Sequence, residues 1–117
     1  MCHCLIIEDE FLIADHLAQL VEEAGATSID YAETEAGAVA CAKARRPDII
    51  VSDVHLLGGH GPNAVSRILH DLGHIAVMFV TSSPEDCTPC GTAAVVIRKP
   101  FQSRYFIDEF TRLAPAA

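Results

Sequence analysis

Ile49-Ile50-Val51-Ser52-Asp53-Val54-His55 is the stretch on which the reading of this chain turns: three β-branched residues run straight into a single aspartate. A continuous apolar run of this length reads as a strand buried on both faces of a parallel sheet, here ending in a carboxylate. Two other runs repeat the pattern. Cys4-Leu5-Ile6-Ile7 is followed by Glu8, Asp9 and Glu10, and Val95-Val96-Ile97-Arg98 is followed by Lys99-Pro100. The functional question is whether these strand ends meet around Asp53.

Working outward, strands and helices alternate. Strands are expected over 3–8, 28–32, 49–52, 75–80 and 95–98. The second reads as nearer an edge because Asp30 interrupts it. Phe11, Ala14, Leu17, Ala18, Val21 and Ala24 form one stripe and predict a helix over 11–24, with Gly25 just past its end. Thr34 is the expected N-cap of a second helix reaching about Arg45, closed by Pro47. Residues 58–62 (Gly-Gly-His-Gly-Pro) read as a mobile loop. Pro62 then opens a helix to about Leu72 with Val65, Ile68, Leu69 and Leu72 inward. A last helix over 103–113 has Ser103 as its cap and Phe106, Ile107, Phe110 and Leu113 inward. From Ser82 to Thr92, Pro84, Pro89 and Gly91 leave room for about one helical turn at most.

This alternation predicts an α/β fold with one open five-stranded parallel sheet. Ligands of such sheets bind beyond the carboxyl ends of the strands. Asp9, Asp53, Thr81 and Lys99 all follow strand ends and are expected on that one edge.

The 117 residues suit one domain, 1–117, with 114–117 as a frayed tail. Eight basic against sixteen acidic residues give a net charge of −8, which argues against a nucleic-acid footprint and an anionic membrane surface. The apolar run after Met1 is too short for a secretory signal, and nothing approaches a membrane span. The expected location is cytoplasmic, with the five cysteines as reduced thiols.

Glu8, Asp9 and Asp53 would repel one another unless a positive charge sat among them. Their oxygens suit a hard cation that keeps some of its water, such as Mg²⁺. Lys99 adds a point charge and Thr81 a hydroxyl donor. That set would surround a phosphoryl group, with Asp53 as the nucleophile that forms an aspartyl phosphate.

With Glu8-Asp9, Asp53, Gly61 eight residues further on, Thr81, and Lys99-Pro100-Phe101 in this order at strand ends, the chain resembles the CheY-like receiver domains of bacterial response regulators. The resemblance covers nearly the whole sequence. It implies a flavodoxin-like sheet in the order 2-1-3-4-5, and a phosphoacceptor in a two-component system. Asp53 would take a phosphoryl group from a histidine kinase or a histidine phosphotransfer protein and so switch contacts with a downstream protein target. It further implies Mg²⁺ held by Glu8, Asp9, Asp53 and the backbone carbonyl of His55. Thr81 and Lys99 would act on the phosphoryl group, and the Lys99–Pro100 bond would be cis. His55, Ser82 and Ser83 would tune the phosphoryl lifetime. Val96 stands where many receivers carry an aromatic switch residue, so the usual threonine–aromatic relay loses its ring. Phe79-Val80-Thr81-Ser82 with a shortened or absent helix between the fourth and fifth strands is similar to a receiver subgroup with an altered output face.

Blander and rival readings stand beside this one. Glu10 reads as first-turn helix charge. Cys2, Cys4, Cys87 and Cys90 invite a zinc reading, but the first pair precedes a strand and the second follows one, which puts them at opposite edges of the sheet. Cys41 reads as a core residue, and the six histidines read as solvated loop residues. An alternative activity is a small Mg²⁺-dependent phosphohydrolase with Asp53 as nucleophile. His55 then stands where such enzymes carry a second aspartate. A third reading is a constitutive pseudo-receiver scaffold.

Overall fold

The structure is a computed structural model that describes residues 1–87 and 94–114. In chain order the elements are β1 (His3–Ile7), α1 (Phe11–Glu23), β2 (Ser28–Ala32), α2 (Glu35–Ala44), β3 (Ile49–Ser52), β4 (His55–Leu56), β5 (Gly59–His60), α3 (Gly61–Leu72), β6 (Ala76–Thr81), a 3-10 turn (Pro84–Asp86), β7 (Val95–Arg98) and α4 (Ser103–Leu113). The five long strands form one parallel sheet in the order β2-β1-β3-β6-β7. Counting main-sheet strands only, that is the expected 2-1-3-4-5.

The sheet is apolar on both faces because helices cover both. Cys4, Ile6, Val51, Met78, Val80 and Ile97 pack with Leu17 and Val21 of α1 and Phe106 and Phe110 of α4. On the other face Leu5, Ile7, Ile50, Val77 and Phe79 pack with Ala38 and Val39 of α2 and Val65 and Ile68 of α3. Burial of these continuous β-branched and leucine runs is what fixes the strands as central. Thr34 caps α2 as expected, its side-chain oxygen accepting from the Gly37 N–H at 3.0 Å.

Several local expectations are corrected. Phe11 is 79 % exposed although it begins the apolar stripe of α1; Leu20 takes the inward place. Phe11 is the first helical residue, and burial along α1 begins only at Ala14. Ser103 opens α4 as its first helical residue and caps nothing; Gln102 precedes it. Residues 58–62 are not a mobile loop. His55–Leu56 and Gly59–His60 pair as a short antiparallel hairpin, and Gly61 and Pro62 belong to α3 and are buried. The hairpin is anchored by Glu35, whose Oε2 accepts from the His60 N–H at 2.8 Å. Gly59, at φ +145°, allows that approach.

His3 is not a solvated loop histidine. It is buried in β1 with its ring nitrogens 2.7 Å from Ser28 Oγ and 3.0 Å from Asp30 Oδ2, which also explains the acid inside β2. Cys2, Cys4 and Cys41 are free thiols. Cys87 is disulfide-bonded, which corrects the reduced-thiol expectation there. Burial pushes the Cys2 and Cys4 thiols up and makes them inert, whereas Cys87 is half-buried. After β6 the described chain makes one 3-10 turn, Pro84–Asp86. The rest of the expected broken segment, with Pro89, Cys90, Gly91 and Thr92, lies outside the described residues, as does the expected frayed tail beyond Ala114. Among the described residues no helix is long and apolar enough to cross a membrane.

Candidate functional site

The parallel register brings the carboxyl ends of β1, β3, β6 and β7 to one edge. Ile7 pairs with Ser52, Ser52 with Phe79, and Thr81 with Arg98. The residues just past or at those ends are Glu8 and Asp9, Asp53, Thr81, and Lys99. One oxygen each from Glu8, Asp9 and Asp53 lies within 4.8 Å of the others. Lys99 Nζ sits 3.8 Å from both Glu8 Oε1 and Asp53 Oδ2.

Each side chain is held by backbone geometry. The Asp53 N–H donates to the Ile7 carbonyl at 2.9 Å, extending the ladder one residue beyond β3. Asp53 Oδ1 accepts from the Val54 N–H at 2.7 Å, which leaves Oδ2 toward Lys99. Asp9 Oδ2 accepts from the Leu57 N–H at the hairpin tip. The Lys99 N–H donates to the Thr81 carbonyl at 2.8 Å, and the Lys99–Pro100 bond is cis. Thr81 is buried, and its hydroxyl oxygen accepts from the Ser83 N–H at 3.0 Å. That geometry leaves the hydroxyl hydrogen for another acceptor. Gly61 packs against the Asp53 backbone so closely that a Cβ there would lie 1.8 Å from the Asp53 carbonyl oxygen.

Glu8 carries the strongest electrostatic signature. It is 3 % exposed, and among the described residues its Oε1 has no hydrogen-bond partner. Burial first, then the negative charge of Asp53, raise its carboxyl to about 7; the Glu10 N–H and Lys99 pull the other way. An orphaned buried oxygen beside two further carboxylates fits a hard cation, which wants oxygen donors and would neutralise the repulsion.

The remaining sequence-predicted positions are more peripheral. His55 opens the hairpin two residues past Asp53, with its ring 60 % exposed. Ser82 is exposed and Ser83 half-buried. Val96 pairs with Phe79 and packs on the α2–α3 side of the sheet. Glu10 is exposed at the start of α1, and its N–H donates to Glu8 Oε2 at 3.2 Å. Sequence reasoning missed Glu35, Asp86 and His60, which anchor the hairpin. All three act across 25 or more residues, so no local pattern announces them.

The family model of the response regulator receiver domain matches residues 4–109. The chain belongs to the response regulator receiver domain family. Among curated relatives, the phyllosphere-induced regulator PhyR of Methylorubrum extorquens is 40% identical over 102 residues, covering 84% of this chain and 38% of that protein. The receiver domain of Erythrobacter litoralis PhyR superposes with a TM-score of 0.83 at 28% identity, covering 99% of this chain and 95% of the other. The anti-anti-sigma factor PhyR of Bartonella quintana gives a TM-score of 0.80 at 30% identity, over 96% of this chain and 46% of that one. This chain thus spans less than half the length of the full PhyR proteins it matches.

Proposed function

We propose that Asp53 accepts a phosphoryl group from a phosphohistidine on a histidine kinase or a histidine phosphotransfer protein, in a Mg²⁺-dependent reaction. The phosphorylated receiver then changes its contacts with a downstream protein. The observation that carries this reading is the cluster of Glu8, Asp9 and Asp53 within 4.8 Å, with Lys99 at 3.8 Å from two of them.

In this reading a bond forms between an Asp53 carboxylate oxygen and phosphorus as the P–N bond breaks, its electron pair returning to the histidine nitrogen. Glu8, Asp9, Asp53 and the His55 carbonyl would hold Mg²⁺, which supplies positive charge to the phosphoryl oxygens. The chain's own groups do the rest. Lys99 pairs with a phosphoryl oxygen, and the Thr81 hydroxyl donates to another. Both are fixed before the reaction, so little reorganisation is needed. Gly61 and the Val54 N–H hold the Asp53 carboxylate in place. Ser83, His55 and Ser82 border the path by which water reaches the acyl phosphate.

Receiver-family relatives are signalling modules, which weighs against the phosphohydrolase reading, and the complete set of site residues weighs against the scaffold. The Bartonella quintana relative is an anti-anti-sigma factor. On that likeness alone, an anti-sigma factor is the class of downstream partner proposed for this chain.

The test is intact mass after incubation with Mg²⁺ and acetyl phosphate. A gain of one phosphate that disappears with a chelator or in Asp53→Asn supports the proposal. No adduct with any donor would return the scaffold reading. Turnover of a generic phosphate ester, abolished in Asp53→Asn, would return the phosphohydrolase.

A further inference from the structure

Asp86 lies outside the acidic cluster, five residues beyond Thr81, in the 3-10 turn that follows β6. Its Oδ2 is 3.0 Å from His55 Nε2. Its backbone carbonyl is 3.3 Å from His60 Nε2. His55 and His60 are direct cross-strand partners in the β4–β5 hairpin, with ring centroids 6.4 Å apart. One residue of the turn is therefore gripped by both histidines of the hairpin. The two elements rise from adjacent strands, since β3 and β6 are neighbours in the sheet, and the site residues Asp53 and Thr81 stand at the ends of those strands. The grip ties together the two loops that border Asp53 and Thr81.

The other side of the hairpin is already fixed. Glu35 holds the His60 N–H, and Asp9 holds the Leu57 N–H. From the hairpin to the turn after β6, the His55 ring meets the Asp86 carboxylate and the His60 ring meets the Asp86 backbone carbonyl. If the His55–Asp86 contact opens, the two loops lose their carboxylate–imidazole link and keep only the His60 contact to the Asp86 carbonyl, while the rest of the hairpin stays anchored.

We propose that Asp86 is a positioning residue that sets the lifetime of the phosphoryl group, by holding His55 as a strap across the rim between the two loops and limiting the access of water to phosphorylated Asp53. This rests on the phosphoacceptor reading above. Both partners are more than half exposed, so the strap is weak and its effect bounded. Exposed side-chain pairs of this kind change an equilibrium by roughly two- to fivefold, and that is the range expected for the decay rate.

Phosphorylated protein is freed of acetyl phosphate and its mass followed with time. Wild type is compared with Asp86→Ala, Asp86→Asn, His55→Ala and the double variant His55→Ala with Asp86→Ala. Asp86→Ala keeps the backbone grip on His60 and removes only the strap, so decay is expected to quicken roughly two- to fivefold. Asp86→Asn keeps an oxygen for the imidazole N–H and should decay as wild type does. A strap needs both ends, so His55→Ala should match Asp86→Ala and the double variant should match either single one. Wild-type decay in Asp86→Ala, or an Asp86→Ala effect that persists undiminished without His55, overturns the strap. A protein that never loads phosphate overturns the phosphoacceptor reading and the strap with it; normal loading with unchanged decay overturns the strap alone.

Discussion

Replacing Gly61 by alanine would put a methyl group 1.8 Å from the Asp53 carbonyl oxygen, 2.6 Å from Ser52 Oγ and 3.0 Å from the Asp53 carbonyl carbon. A carbon rarely approaches a carbonyl oxygen closer than about 3.3 Å, so something must move by about 1.5 Å. Neither side yields easily. Gly61 is buried at the first position of α3 and its N–H donates to the Val54 carbonyl at 2.8 Å. Asp53 is locked to β1 through its own N–H, and Ser52 is fully buried with its hydroxyl donating to the Asp53 carbonyl at 2.7 Å. Overpacking of this kind costs about 1–3 kcal/mol of stability. The larger consequence is chemical. A misplacement of about 1 Å at a reacting group costs about 100-fold in rate. Gly61→Ala is therefore expected to fold with a lowered melting temperature and to load phosphate from acetyl phosphate about 100-fold more slowly. Gly73→Ala is the control. Gly73 has φ +86° and ψ −163° but nothing within 4 Å of a new Cβ, so it should lose about 1–3 kcal/mol through backbone strain and load phosphate normally. Wild-type loading in Gly61→Ala would refute the claim that this glycine positions Asp53.

Other perturbations separate the site from its frame. Lys99→Ala removes the cation beside Asp53 and Glu8; loading by a small phosphodonor should fall about 100-fold, as when a preorganised donor is lost. Glu8 gives a pH signature in metal-free protein. Its carboxyl is raised from about 4.5 to about 7 on folding. The folded state therefore binds the extra proton, and stability present at low pH is lost as pH rises through 7. Melting curves should show this fall in wild type, lessened by Mg²⁺ and missing in Glu8→Gln. His3→Ala should cost about 1–3 kcal/mol by stripping a buried, doubly bonded ring. It should leave phosphorylation kinetics unchanged, because His3 and the site stand at opposite ends of β1, roughly 13 Å apart.

Where strands lie, and which ends carry chemistry, was legible because buried parallel strands have no polar alternation to blur them. Ile49–Ser52 and Val95–Arg98 are read to the residue. The convergence of Glu8, Asp9, Asp53 and Lys99 followed from topology alone, since a parallel sheet puts like ends on one edge. Illegible were the features set by distant partners. The glycine-rich stretch after Leu57 looks like a loop until Glu35 and Asp9 pin it as a hairpin. His3 looks like a polar residue in an apolar strand until Ser28 and Asp30 meet its ring. Periodicity places Phe11 inward, but it says nothing of where along a helix burial begins, and in α1 that is Ala14. The raised carboxyl of Glu8 depends on how fully neighbouring elements bury it, which no local pattern reports.

The central claim is that Asp53 itself carries the phosphoryl group. The most direct measurement is reductive trapping: borohydride converts an aspartyl phosphate to homoserine, and peptide mass mapping finds which residue changed. The account predicts homoserine at position 53 in protein loaded with acetyl phosphate and Mg²⁺, and none in unloaded protein. Homoserine at Asp9, or phosphate found on a residue other than Asp53, would contradict it.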